Sequence, residues 1–246
     1  MQIKKTQMIV LAALALVGSS AFAQAKAPEP DYTFSYNVGL VTDYRYRGIS
    51  QSRLKPALQG GIDFAHKSGF YLGTWASSIK WIKDAGGDAP AEIDIYGGYK
   101  GSYNDIGYDV GILSYQYPSH KLAVSPVTNE LYIAGTIGPA TLKYSHSVSN
   151  LFGFADSKNS GYLDLSAGFD MGNGWSLTPH IGHQAVKHNS AYSYTDYSIT
   201  VGKDFGGGLS ASAALVGTDA GSGLYVAPSG KNLGKNGLVL GVKYSF

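Results

Sequence analysis

Three short stretches hold residue types that could do chemistry. Ser145, His146 and Ser147 put hydroxyls beside an imidazole. A serine hydrolase needs its hydroxyl within hydrogen-bond reach of the base, and a third group to orient that base. On a strand, neighbours alternate faces, so His146 points away from both serines. No nucleophile elbow stands elsewhere, and no catalytic residue is assigned. His180 and His183 are three apart, which on a strand sends them to opposite faces and rules them out as a metal pair. His66 reads as an interfacial or turn residue. No metal and no cofactor is expected. Arg45, Arg47 and Gly48 form the third stretch, where a strand runs into a loop. Forked arginine hydrogen bonds there could hold an anionic solute at a mouth, or the phosphates of lipopolysaccharide. The plainer reading is a loop anchored on a local acid such as Asp43.

Composition narrows what could position these residues. Lys4 and Lys5 precede an apolar run over residues 8–17, and Ala21-Phe22-Ala23 gives an A-x-A cleavage site. Residues 1–23 therefore read as a cleaved signal peptide, 24–32 as a periplasmic segment and 33–246 as the folded domain. Removing two lysines leaves 19 − 2 = 17 basic against 17 acidic residues, so no basic patch asks for nucleic acid. With Cys at 0, neither disulfides nor thiolate metal sites are possible. No run of ~18 apolar residues follows the signal, so no transmembrane helix is expected. Gly at 33 and Tyr at 19 suit strands with aromatic girdles better than helices.

Period-two alternation recurs along the whole chain. In a first strand Phe34, Tyr36, Val38, Leu40, Thr42 and Tyr44 share a face against Asn37, Gly39, Asp43 and Arg45. Leu163, Leu165, Ala167 and Phe169 later oppose Asp164, Ser166 and Asp170. The last strand alternates through Leu238, Leu240, Val242 and Tyr244 to Phe246, the pattern read by a barrel-assembly machinery. Tyr71, Trp75, Ile79 and Trp81 share one face of a third strand, assigned here to the lipid side. Pro56 and Pro179 belong at strand ends or bulges, since proline cannot donate to a ladder.

The connections decide between a soluble sandwich and a barrel. Five are tight, at 67–69, 103–105, 138–139, 172–174 and 206–208, each with the Gly, Asn or Pro a turn requires. Six are longer and polar, near 46–53, 83–91, 117–126, 149–159, 187–193 and 219–235. Long and short alternate strictly, as periplasmic turns and outer loops do in a transmembrane barrel. Eleven connections give twelve antiparallel strands, with both ends on the short-turn side. Hydrocarbon forbids unpaired backbone groups, and closure leaves a sheet without edges.

The opposite face would then line a lumen. Its basic members are Arg45, Arg47, Lys55, Lys80, Lys100, Lys143 and Lys243. Its acidic members are Asp43, Asp63, Glu92, Asp94, Asp109, Glu130, Asp164, Asp170, Asp196 and Asp204. The pore-lining or mouth set is narrower: Asp43, Arg45, Arg47, Asp63, Asp94, Lys100, Lys143, Asp164 and Asp196. No ring of one sign stands out, and many of these charges would pair across the barrel. Twelve strands imply a narrow bore.

Residues 44–52 (YRYRGISQS) and 57–79 (ALQGGIDFAHKSGFYLGTWASSI) resemble the TorF porin family. IDIYGGYKG at 93–101, YDVG at 108–111, YQYP at 115–118 and NELYIAG at 129–135 continue the likeness. LKYSHS at 142–147, GYLDL at 161–165 and TDYSITVGKDF at 195–205 complete it, while 219–236 carries no signature. The resemblance implies an outer-membrane barrel of a Gram-negative bacterium, with no established substrate. A porin-like channel passing small hydrophilic solutes or ions is the expected function. Its partners would be outer-membrane lipid and lipopolysaccharide. A structural or adhesive barrel that passes nothing is the alternative, with a lipid hydrolase behind it.

Overall fold

The computed structural model describes residues 30–246; the signal-peptide assignment and residues 24–29 of the segment after it lie outside the described residues. Strands make up most of the regular structure of the described residues. In order run β1 (Tyr32–Val41), β2 (Arg45–Tyr46), β3 (Ile49–Ser50), β4 (Ala57–His66) and β5 (Phe70–Ser78). After the single helical turn α1 (Trp81–Asp84) come β6 (Ala91–Tyr103), β7 (Ile106–Gln116), β8 (Thr128–Ile137) and β9 (Ala140–Ser147). The rest are β10 (Gly161–Ala167), β11 (Phe169–Gly172), β12 (Trp175–Ala185), β13 (Tyr194–Gly206), β14 (Leu209–Thr218) and β15 (Gly237–Ser245).

Except for the β2–β3 hairpin, each strand pairs antiparallel with its sequence neighbours. The sheet closes where β1 meets β15, with Val38 opposite Tyr244. The seam runs to the last residue: Tyr36 and Phe246 exchange backbone hydrogen bonds of 2.9 and 3.0 Å. Thirteen segments form the wall, but β10 and β11 share one position between β9 and β12, so the barrel has twelve staves.

Proline explains that split. Ser166 lies opposite His180 and Phe169 opposite Leu177, the same register on either side of the gap. In that register Ala167 faces Pro179, which has no N–H to give, so the ladder lapses for two residues and resumes. Pro56 sits just before β4, at a strand end.

The faces sort as a lipid-embedded barrel requires. Leu58, Leu72, Ile133, Leu142, Ile199 and Leu240 all point outward and are exposed, on strands all around the wall. So continuous an apolar belt is solvated by hydrocarbon, not water. Aromatics gather at the short-turn rim: Tyr36 stacks on Phe246 at 5.7 Å and Phe70 meets Tyr99 edge-on at 5.0 Å. Among the described residues no helix is long and apolar enough to cross a membrane.

Two expectations about faces fail. Tyr71 and Trp75 point inward, because Phe70 and Leu72 take the lipid side of β5. With aromatics on both faces of one strand, alternation alone does not say which face is wet. Ile79 and Trp81 lie beyond the strand, Ile79 buried and Trp81 in α1 against Tyr117. Tyr44 is likewise not on the outer wall. The chain leaves the sheet after Val41, and Tyr44 is buried inside, 5.3 Å from the Trp75 ring.

Candidate functional site

The six long connections do not stand away from the barrel; they fold over its outer mouth. Ile79, Ile82 and Ala89 of the second join Tyr44, Ala57, Tyr115 and Tyr117 in one buried cluster. Ile49, Tyr194, Ala227 and Leu233 form another between the first and last loops. The β2–β3 hairpin of loop 1 (residues 42–56) joins both, Tyr46 packing against the first and Ile49 belonging to the second.

The hairpin tip must turn in two residues, and Arg47 and Gly48 both have positive φ, 46° and 78°. Gly48 has a second reason to be glycine. A Cβ there would sit 2.4 Å from Thr218 Cγ2 and 2.8 Å from the Asp196 Cβ. The tip is thus pressed flat on β13 and β14.

Charge and hydrogen bonds fix the hairpin to opposite walls. Asp43 accepts from Arg45 Nε at 2.8 Å and from the Ser50 and Ser52 hydroxyls. Arg45 also donates to the carbonyls of Gly48 and Lys235, tying loop 1 to loop 6. Arg47 reaches β8, where Nη1 and Nη2 meet Glu130 Oε1 and Oε2 at 3.0 and 2.7 Å. A third bond, 2.6 Å, goes to Gln184 on β12. The Tyr46 and Tyr162 rings cover the guanidinium at 4.8 and 4.1 Å. Tyr44 donates to Glu92 on β6, and Tyr46 bonds Tyr115 on β7. Tyr44, Tyr46 and Arg47 thus hydrogen-bond four staves, β6, β7, β8 and β12.

The plug divides the interior. Above it is a vestibule of about 320 Å³ rich in rings, among them Trp81, Phe152, Tyr192 and Tyr225. Burial pushes the Tyr225 hydroxyl above its ordinary range, so it stays protonated and donates to the Tyr192 carbonyl. Below the plug are two chambers. One of about 400 Å³ is lined by Arg45, Arg47, Lys143, Asp164, His180 and Asp196. His180 is gripped there, its Nε2 2.6 Å from Asp164 and its Nδ1 3.6 Å from Asp196. The other, about 440 Å³, is lined by Asp63, Asp94, Lys100, Asp109 and Lys143, with aromatic walls. Towards the short-turn rim the lumen widens to about 760 Å³, beside Asn37, Gln59, Asp204 and Lys243. An apolar groove of about 720 Å³ beside Pro179 and Leu215 belongs to the lipid-facing wall.

Inward tyrosines meet glycines across the sheet. A Cβ on Gly182 would stand 2.0 Å from the Tyr162 hydroxyl, and one on Gly111 2.5 Å from that of Tyr132. Each ring lies flat over bare backbone, which keeps space open in a narrow bore.

The expected pore-lining set is therefore placed as follows. Asp63, Asp94, Lys100 and Lys143 share one chamber; Lys143, Asp164 and Asp196 share the other. Asp43, Arg45 and Arg47 belong to the plug, where each arginine makes three hydrogen bonds within the protein. The local-anchor reading holds for Arg45 and Asp43. Lys55 and Lys80, expected in the lumen, are exposed on loops beyond the strand ends. His183 faces out and His180 in, as their spacing requires. His146 is half-buried while Ser145 and Ser147 are buried on the other face. His66 bonds Ser68 in the turn after β4. Among the described residues no group of three or more His, Cys, Asp or Glu could hold a metal. Sequence reasoning missed the plug itself. No local signal marked it, because Arg47 finds its partners on β8 and β12, far away in sequence.

Comparison with solved structures gives the same architecture. The KdgM porin superposes with a TM-score of 0.57 at 9% identity, covering 87% of this chain and 98% of that one. The NanC porin gives 0.55 at 9% identity, covering 86% and 99%. An outer membrane channel from Pseudomonas putida F1 gives 0.50 at 14% identity, covering 88% and 95%. At these identities the likeness is one of fold. No curated protein sequence matches the chain. A family model described as "Bacterial protein of unknown function (Gcw_chp)" matches residues 24–246, so the chain is a member of the Gcw_chp family.

Proposed function

We propose that this barrel is a channel of the outer membrane that passes small hydrophilic solutes and is held shut by its own first loop. The observation that carries the reading is the interior: a closed lipid-facing wall around charged chambers of about 400 and 440 Å³. A barrel that served only as a scaffold could fill twelve staves with packed side chains. Instead the lumen pairs flat tyrosines with glycines and leaves room. The porin folds of the structural neighbours and the TorF-like segments agree with this reading.

A second reading has its own support. The plug makes a dense set of bonds, with Arg47 6% and Glu130 2% exposed at the side chain. A barrel sealed that firmly would serve as a structural or adhesive element, with the ring-lined vestibule as its outward face.

Liposome swelling separates the two. Purified protein in liposomes should admit small neutral sugars faster than empty liposomes do, and faster still when residues 44–50 are replaced by a short Gly-Ser link. Swelling at the empty-liposome rate for both proteins would favour the sealed barrel.

A further inference from the structure

We propose that the chamber walled by β4 to β9 is a subsite for a small zwitterion, whose ammonium pairs with Asp94 and whose carboxylate reaches Lys143. The inference rests on reading the lumen as a solute path, and names what that path would select.

The chamber holds three aspartates and two lysines; Lys100 stands directly opposite Asp109 across β6 and β7, while Asp94 has no positive charge opposite it. Asp63 accepts from the Tyr96 hydroxyl, and Asp109 from Tyr71 at 2.6 Å. Asp94 is 9% exposed, and its Oδ1 is buried without a hydrogen-bond partner. Neither lysine joins an ion pair among the described residues. Lys143 Nζ lies 4.1 Å from the Tyr132 ring centre and Lys100 Nζ 5.7 Å from that of Tyr71. Both signs are present in one cavity, with Asp94 unpartnered and neither lysine in a close ion pair.

The sheet register explains why. Asp94 stands directly opposite Trp75 on one side and Tyr115 on the other. Neither neighbour carries a positive charge. Lys143 stands opposite Ala134 and Asp164, and Asp164 is taken by His180. A buried carboxylate oxygen with no donor is costly, and such groups are rare enough to need a cause. A ligand that brings a positive charge to the chamber side of that carboxylate is one.

The chemistry of the walls narrows that ligand. A divalent metal wants six or more oxygens, and no such cluster exists among the described residues. A plain anion would meet Asp94 unscreened, and a plain cation would meet both lysines. A molecule carrying both charges meets each with its opposite. The Trp75 ring beside Asp94 also favours an ammonium, through the attraction of a cation for an aromatic face. About 440 Å³ is room enough for a dipeptide-sized solute.

The test is calorimetric, on the full chain folded in detergent micelles, with alanyl-alanine as probe. N-acetyl-alanyl-alanine lacks the ammonium, and alanyl-alaninamide lacks the carboxylate. Native protein should bind alanyl-alanine about tenfold or more tighter than either analogue, the worth of one charge-assisted bond. Asp94→Asn should erase the preference over the acetylated probe alone. Lys143→Gln should erase the preference over the amide alone. Asp94→Asn removes an unpartnered charge and breaks no bond, and the heat-modifiable gel shift checks that each variant folds. Equal binding of all three probes, no binding of any, or preferences unchanged in both variants would overturn the subsite. Binding in micelles needs no permeation. A silent bilayer with the preferences intact would sink the channel and keep the subsite; open conductance without preferences would do the reverse.

Discussion

Arg47 and Glu130 meet in a two-pronged ion pair, at 3.0 and 2.7 Å, between the tip of loop 1 and the first residues of β8, where the strand leaves the outer mouth. It is the bond that turns an outer loop into a plug. Forked geometry fits a guanidinium and a carboxylate to each other in a way lysine could not reproduce.

Because both partners are buried, removing one leaves the other charged and alone. Arg47→Met or Glu130→Leu singly should destabilise the fold by about 3–5 kcal/mol, and the double variant by clearly less. The check is a double-mutant cycle read from denaturant unfolding in micelles. Additive losses would show that the pair does not hold the plug.

Gly182 lies under the Tyr162 hydroxyl, which bonds Asp196 at 2.9 Å. Gly182→Val would push that ring into the chamber beside Arg47. We expect a loss of about 1–3 kcal/mol from overpacking. Tyr162→Phe in the same background should recover only part of the loss, because the ring Cζ would still stand 2.5 Å from the new Cβ.

Pro179→Ala should heal the split stave. It supplies an N–H opposite Ala167, in a register already correct on both sides. The expected gain is about 0.5–1.5 kcal/mol, one net backbone hydrogen bond. Slow hydrogen exchange at the new residue 179 amide is the measurement, and rapid exchange there would contradict the proline account.

How much of this was legible in the residues follows from where the physics is local. Alternation and turn chemistry are local, so twelve staves, five turns and six loops could be counted from them. Within a strand the assignment held where charged and apolar residues alternate, as for Asp164 against Leu163 and Leu165, but not for Lys55 and Lys80, which lie beyond the strand ends. It failed for Tyr71 and Trp75, where rings and glycines share the inner face. The plug was out of reach because Arg47 finds Glu130 eighty-three residues away and Gln184 further still. Local sequence showed only that Arg45 had Asp43 beside it. The pairing of charges was foreseen in kind but not in place. The vacancy at Asp94 depends on which residues the register sets opposite it.

Acid should loosen the loops. The hydrogen bond from Lys121, its charge and that of Lys83 hold the Asp88 carboxyl below the usual carboxylate range. A value lowered on folding means this tie between loops 2 and 3 is intact above the ordinary carboxylate range. It fades as pH falls through the lowered value. Asp88 is fully exposed, so the effect is local. Limited proteolysis of residues 83–90 should speed up in strong acid, and Asp88→Asn should cleave at that faster rate at neutral pH. A variant as resistant as the native chain would show the tie to be idle.

Single-channel recording in planar bilayers tests the central claim most directly, that an open-walled barrel is shut by loop 1. Native protein should show rare, small conductance steps. Replacement of residues 44–50 by a Gly-Ser link should give frequent and larger ones, with Arg47→Met in between. Silence from the loop-replaced barrel, shown folded by its gel shift, would contradict the account.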